Sequence, residues 1–136
     1  MMDQKRILLV SRDIMVLQTR KLMLGAYFDV SAAGRVVEAQ RLLFKQSFDL
    51  IVLCYTLTHD DCQKIIESVR SYSPEAKFLV LTITGLPIDR LDVRAYCLPA
   101  EQGPFILVKK SAELLGFEFK SKGRMVPSSH PASMVA

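Results

Sequence analysis

Three cysteines, one histidine beside two aspartates, and a Ser-Arg-Asp run are the groups with which this chain could do chemistry. The cysteines, Cys54, Cys62 and Cys97, are odd in number, form no Cys-x-x-Cys pair and have no histidine at zinc-ligand spacing. A disulfide framework and a thiolate metal site are therefore not expected. Each cysteine sits in an apolar stretch, where free cysteine packs as a small hydrophobe, so all three are expected in the core. Asp60 and Asp61 could form a carboxylate dyad, but they precede a helical stripe that begins at Cys62, where N-capping and dipole stabilisation are the expected roles. His59, in the same loop, reads as a surface polar group. The sequence predicts neither a metal nor a cofactor.

The elements that position these groups follow from periodicity. Lys5 to Val10 is an unbroken apolar run after charge, as a strand buried on both faces requires. Ser11-Arg12-Asp13 offers a cap to a helix over Ile14 to Leu24 that ends at Gly25, although apolar residues occur around most of it. Phe28, Val30 and Ala32 alternate as in an edge strand, and Val36, Ala39 and Leu43 recur at helical spacing up to about Gln46. Phe48 to Cys54 is a second continuous apolar run and the expected central strand. Cys62, Ile65, Ile66 and Val69 fall at i, i+3, i+4 and i+7 of a helix, followed by a strand over Lys77 to Thr82. A weak helix over Leu86 to Val93, a fifth strand over Ala95 to Leu98 and a last helix from Pro104 to Gly116 complete the pattern.

Strands alternating with helices predict an α/β fold: a doubly wound five-stranded parallel sheet with right-handed crossovers, flavodoxin-like, in strand order 2-1-3-4-5. The chemistry of such sheets sits outside the carboxyl ends of the strands at the topological switch point. Here that edge carries Ser11, Arg12, Asp13 and Cys54. A thiol there beside the cationic Arg12 would have a lowered pKa, the condition for a reactive cysteine, whereas a buried thiol would be inert.

Over roughly residues 5–116 the pattern resembles the receiver domain of two-component response regulators. Lys-Arg-Ile-Leu-Leu-Val is similar to that family's first strand, Ser47 to Leu53 to the run before its phosphoacceptor, and Phe78 to Thr82 to the strand that ends in its hydroxyl residue. The resemblance implies phosphoryl transfer to a carboxylate, with Mg²⁺ held by that carboxylate and an acidic pair, and with a lysine and a hydroxyl on the phosphoryl group. A hard cation requires such oxygen ligands. In this chain the phosphoacceptor position falls on Cys54, the metal pair on Ser11 and Arg12, and the lysine on Ala100. Only Thr82 matches, at the hydroxyl position, and Tyr96 stands where the family's switch aromatic would be. The resemblance is thus to a degenerate member, a pseudo-receiver, in which Arg12 either fills the cation's place, bonded to Asp13, Asp60, Asp61 or backbone carbonyls, or points to solvent.

Bulk properties bound the rest. A chain of 136 residues, 50% hydrophobic and 24% charged, fits one globular domain, expected over residues 1–119. Residues 120–136 turn to Lys, Ser, Gly, Pro and His and read as a disordered basic tail. The apolar runs are far short of the roughly 20 residues that cross a bilayer, and no signal-peptide pattern precedes them, so a cytoplasmic protein is expected. A net charge of +4 is too mild to predict nucleic-acid binding. The expected role is a stand-alone, non-enzymatic signalling protein that binds a protein partner, a histidine kinase or another regulator, without phosphorylation. Two alternatives are phosphoryl or thiol chemistry at Cys54, and binding through Lys120, Lys122 and Arg124 of the tail.

Overall fold

A computed structural model describes residues 4–83, 95–120 and 124–127. The element order is β1 (Arg6–Val10), α1 (Ile14–Gly25), β2 (Asp29–Ala33), α2 (Val36–Lys45), β3 (Leu50–Leu53), α3 (His59–Tyr72), β4 (Lys77–Thr82) and β5 (Ala95–Pro99). A 3₁₀ turn (Ala100–Gln102), α4 (Pro104–Leu114), β6 (Phe117–Lys120) and β7 (Arg124–Pro127) follow. The sheet is parallel in the order β2-β1-β3-β4-β5, the topology that the alternation predicts. The helix expected over 86–93 lies outside the described residues.

Successive side chains of a strand point to opposite faces, so a strand covered on both sides is apolar throughout. Ile7 and Leu9 of β1 pack with Leu17 and Leu24 of α1 and Leu107 and Val108 of α4, while Leu8 and Val10 pack with Ala39 of α2 and Ile65 and Ile66 of α3. These four of the five β1 residues are wholly buried, as are Leu50 to Leu53 of β3. The two central strands therefore fix the carboxyl edge of the sheet within a double core.

The helices differ in how well their sequences announce them. In α3 the stripe Cys62, Ile65, Ile66 and Val69 is buried, as its spacing predicts. Its start is earlier than the stripe: Thr58 is the N-cap, accepting from the Asp61 amide, and the Asp61 carboxylate accepts from the Thr58 amide in a capping box. Asp60 is not the cap but lies in the first turn, 3.0 Å from the Lys64 ammonium. The N-cap of α1 is Asp13, whose carboxylate accepts from the Met15 and Val16 amides. Only Leu17 and Leu24 of α1 are buried, whereas Ile14, Met15 and Leu22 are exposed, which is why no apolar stripe could be read from it. At the far end of the domain the Lys77 ammonium donates to the Leu114 carbonyl at 2.7 Å, satisfying an end group of α4.

Two expectations need correction. Cys97 is exposed. Its neighbour Leu98 points into the core shared with α1 and α4, so Cys97 must point to the other face, at the sheet edge beyond the cover of α2 and α3. Residues 124–127, expected in the disordered tail, form β7, which pairs antiparallel with β6. Phe117 packs on Phe28 at 6.3 Å between ring centroids, and Met125 packs against the α1/α4 core, so apolar side chains anchor this hairpin.

Among the described residues the Ser111 hydroxyl, buried in α4, has no hydrogen-bond partner. An orphaned buried hydroxyl costs its desolvation without return, and alanine is the better helix former. Ser111→Ala should raise stability by about 0.5–1 kcal/mol, read as a higher urea midpoint at unchanged m-value. A lower midpoint would mean that the hydroxyl is bonded after all.

Candidate functional site

The β1–α1 loop and the segment after β3 meet at the carboxyl edge of the sheet. Ser11 is buried and its backbone amide donates to the Ala33 carbonyl, which extends the β1–β2 ladder by one residue. Its hydroxyl lies 3.1 Å from the Thr56 hydroxyl and accepts from the Asp13 amide at 3.2 Å. The Arg12 amide also donates to the Thr56 hydroxyl, at 2.9 Å. Thr56 thus ties the two loops together, a role that the sequence did not indicate.

The Arg12 guanidinium turns onto Asp61. Its Nε donates to Asp61 Oδ2 at 2.7 Å and its Nη2 to Oδ1 at 2.8 Å, the fork geometry for which arginine is suited. The Asp61 side chain is 8% exposed and that of Arg12 is 52% exposed. Arg12 holds the Asp61 carboxyl down at about 2, against the opposing effect of burial, with help from Thr58. The same bond raises the Arg12 pKa. Of the three carboxylates considered for Arg12, Asp61 is therefore the one engaged, while Asp13 caps α1 and Asp60 pairs with Lys64.

Cys54 is buried at the end of β3, its amide donating to the Val10 carbonyl. The cation beside its sulfur is Arg20, not Arg12: Arg20 Nη1 donates to Cys54 Sγ at 3.0 Å, and the same guanidinium lies 6.0 Å from the centre of the Tyr55 ring. Burial pushes the Cys54 thiol up, a change that Arg20 and Ser11 only partly offset. This is the opposite of the lowered pKa that a cationic neighbour alone would produce, and it leaves the sulfur protonated at neutral pH. Cys62 is likewise pushed up, to about 11, by burial and by Asp61 and Cys54. Arg20 was missed in the sequence. The spacing Leu17, Arg20, Leu24 places it on the buried stripe of α1, and that was the available signal.

The other positions lie apart from this contact network. Thr82 ends β4, half-buried and opposite Pro99 of β5. Ala100 opens the 3₁₀ turn and packs against the α1/α4 core. Tyr96 is exposed, with the Lys110 ammonium 5.3 Å from its ring centre, so Lys110 is engaged rather than merely solvated. His59, the first residue of α3, is exposed and among the described residues makes no hydrogen bond to Cys54.

A Mg²⁺ of the kind the resemblance implies does not fit these residues. Ser11 and Cys54 supply no carboxylate, and both oxygens of Asp61 are taken by a guanidinium. No helix among the described residues is long and apolar enough to cross a membrane.

No protein-family model matches the chain, and no curated protein matches it. Solved structures do. The chemotaxis protein CheY4 of Vibrio cholerae superposes with a TM-score of 0.70 at 21% identity, over 82% of this chain and 98% of that one. A CheY-like receiver domain from Methanospirillum hungatei JF-1 gives 0.71 at 22% identity, over 83% and 94%. The signal receiver domain of an HD domain-containing protein from Pseudomonas fluorescens Pf-5 gives 0.68 at 18% identity, over 82% and 94%. With the sheet order and the two-sided core, these superpositions show that the chain has the fold of the CheY-like response-regulator receiver domains.

Proposed function

We propose that this chain is a non-enzymatic receiver-like signalling module that acts in the cytoplasm by binding a protein partner of a two-component pathway, a histidine kinase or another regulator, without being phosphorylated. The observation that carries the reading is the bidentate Arg12–Asp61 pair. It puts a fixed organic cation next to positions where a metal-dependent receiver would have carboxylates, and it occupies both oxygens of Asp61, while the Asp13 carboxylate is held by the first amides of α1. Phosphoryl transfer to an aspartate depends on a cation to neutralise charge on the phosphoryl oxygens and on a carboxylate to attack. Ser11 and Cys54 provide neither.

The test is incubation of the whole chain with acetyl phosphate and Mg²⁺, followed by intact-mass spectrometry. No gain of about 80 Da, the mass of one phosphoryl group, is expected. Millimolar Mg²⁺ should also leave Tm unchanged, because a ligand that binds the native state must raise it. A stable adduct, or a saturable rise in Tm, would overturn the reading. For the binding half, a histidine kinase or regulator identified by mass spectrometry on the immobilised chain should be retained equally with and without acetyl phosphate.

A further inference from the structure

A cleft of about 270 Å³ lies between α1 and the entry to α4, lined by Met15, Val16, Thr19, Arg20, Ala100, Gly103 and Pro104. Its walls are mainly apolar, from Met15, Val16, Ala100 and Pro104. Arg20 is the one formal charge in the lining, and one of its N–H groups is spent on the Cys54 thiol, a weak acceptor. Among the described residues no carboxylate pairs with this guanidinium and no oxygen accepts from it, in contrast to Arg12 eight residues earlier in the sequence. Ala100 has only a methyl group to offer, so the space beside Arg20 stays open. An apolar cleft with one convergent charged group is the usual form of a small-ligand site, in which the charge fixes orientation and the walls supply burial.

We propose that this cleft binds a small monocarboxylate with a short branched or cyclic apolar body, its carboxylate accepting from Arg20 and its hydrocarbon lying on Met15, Val16, Ala100 and Pro104. The chemistry follows from complementarity. Guanidinium matches carboxylate bidentately, and the limited volume excludes long chains. A larger anion that needs several cations, such as a nucleotide, finds only one here. The proposal goes beyond the protein-binding role and does not rest on it, since the cleft lies on the α1/α4 side and includes neither Arg12 nor Asp61.

The probes are 4-methylpentanoate, its neutral amide and inorganic phosphate, titrated into the ¹⁵N-labelled whole chain and followed by amide NMR. Saturable shifts with the acid, confined to residues 15–20 and 100–106, are expected, with at least tenfold weaker binding of the amide and of phosphate. Arg20→Met should weaken the acid at least tenfold, and Arg20→Lys less. Ala100→Leu, which fills the cleft from its own wall and leaves Arg20 in place, should abolish binding; its amide spectrum shows whether the fold is intact. Equal binding of acid and amide, phosphate binding as tight as the acid, or no saturable shift up to solubility would each overturn the proposal. If the acid binds while the chain accepts a phosphoryl group, the interaction role falls and the cleft assignment stands.

Discussion

Arg12→Ala will lower the urea midpoint at neutral pH and move the acid-unfolding limb to higher pH. In the wild type the folded Asp61 carboxyl sits at about 2, below the ordinary value of 3.8. A depressed carboxyl contributes stability that is fully present above the ordinary value and is lost as pH falls from there toward about 2. The Arg12 hydrogen bond is the largest cause of that depression, and burial opposes it. Without the guanidinium, burial is countered only by the Thr58 bonds, so the folded carboxyl takes up a proton at higher pH and the acid limb shifts with it. At neutral pH the same change leaves a carboxylate that is 8% exposed without its charge partner. For that carboxylate the loss is on the order of 1–2 kcal/mol, between the values for an exposed and a fully buried pair because its partner stands half in water. Arg12→Lys should recover part of the midpoint but not the acid limb, since an ammonium cannot make both bonds at once. Asp61→Asn provides the control: combined with Arg12→Ala it should cost less than the two single changes added, because each removes the same interaction. Coincident midpoints and acid limbs for wild type and Arg12→Ala would retire the idea that this pair holds the edge of the sheet together.

The second large effect is constructive. Replacing Ser11, Arg12 and Cys54 together by aspartate should convert a chain whose Tm ignores Mg²⁺ into one whose Tm depends on it. Ser11 and Cys54 are buried beside one another, with the Asp13 carboxylate near the thiol, so three added carboxylates repel one another and the triple variant should melt well below wild type in a chelator. Mg²⁺ should reverse the loss. A ligand at about 100 times its Kd stabilises by about 2.7 kcal/mol, which for a domain of this size shifts Tm by several degrees. Arg20 would then lie within reach of the carboxylate introduced at Cys54, a cation on the side where Ala100 offers none. A triple variant that folds in the chelator but shows no Mg²⁺-dependent rise would mean that the loop between Val10 and Ile14 no longer holds a receiver-like geometry.

The fold was legible because its cause is repeated along the chain. A strand covered on both faces cannot carry a polar residue at any position, so Ile7–Val10 and Leu50–Leu53 announce themselves as short unbroken runs. The stripe Cys62, Ile65, Ile66, Val69 announces α3 by the same logic at helical period. Helix α1 was legible only by its ends, Asp13 and Gly25, since its exposed Ile14, Met15 and Leu22 blur the period. The hairpin of β6 and β7 was not read from the sequence: Phe117-Glu118-Phe119 and Met125-Val126 are apolar patterns too short to stand out from the basic stretch between them, and the cover that Phe117 and Met125 find against Phe28 and the α1/α4 core gives them a place.

The sequence by itself determined the strand order and which residues stand at the carboxyl edge, because the hydrophobic period sets which segments are strands and the chain's handedness sets how they connect. It shows as well that Ser11, Arg12 and Cys54 bring no carboxylate to that edge, which is the ground on which the phosphorylation-independent role is proposed. Which carboxylate Arg12 would choose, and which arginine would reach Cys54, was decided by the tertiary structure alone. Asp13, Asp60 and Asp61 are equivalent by type, and they are separated only by what each is already bonded to: Asp13 to the first amides of α1, Asp60 to Lys64, and Asp61 to the Thr58 amide at the start of α3. Likewise Arg12 stands one residue beyond Ser11, which continues the β1–β3 register opposite Cys54, but it turns away to Asp61, and Arg20, thirty-four residues distant in sequence from Cys54, comes in from α1. Side-chain partners of this kind depend on the packing of a helix against a sheet to within an ångström, and periodicity carries no information at that scale.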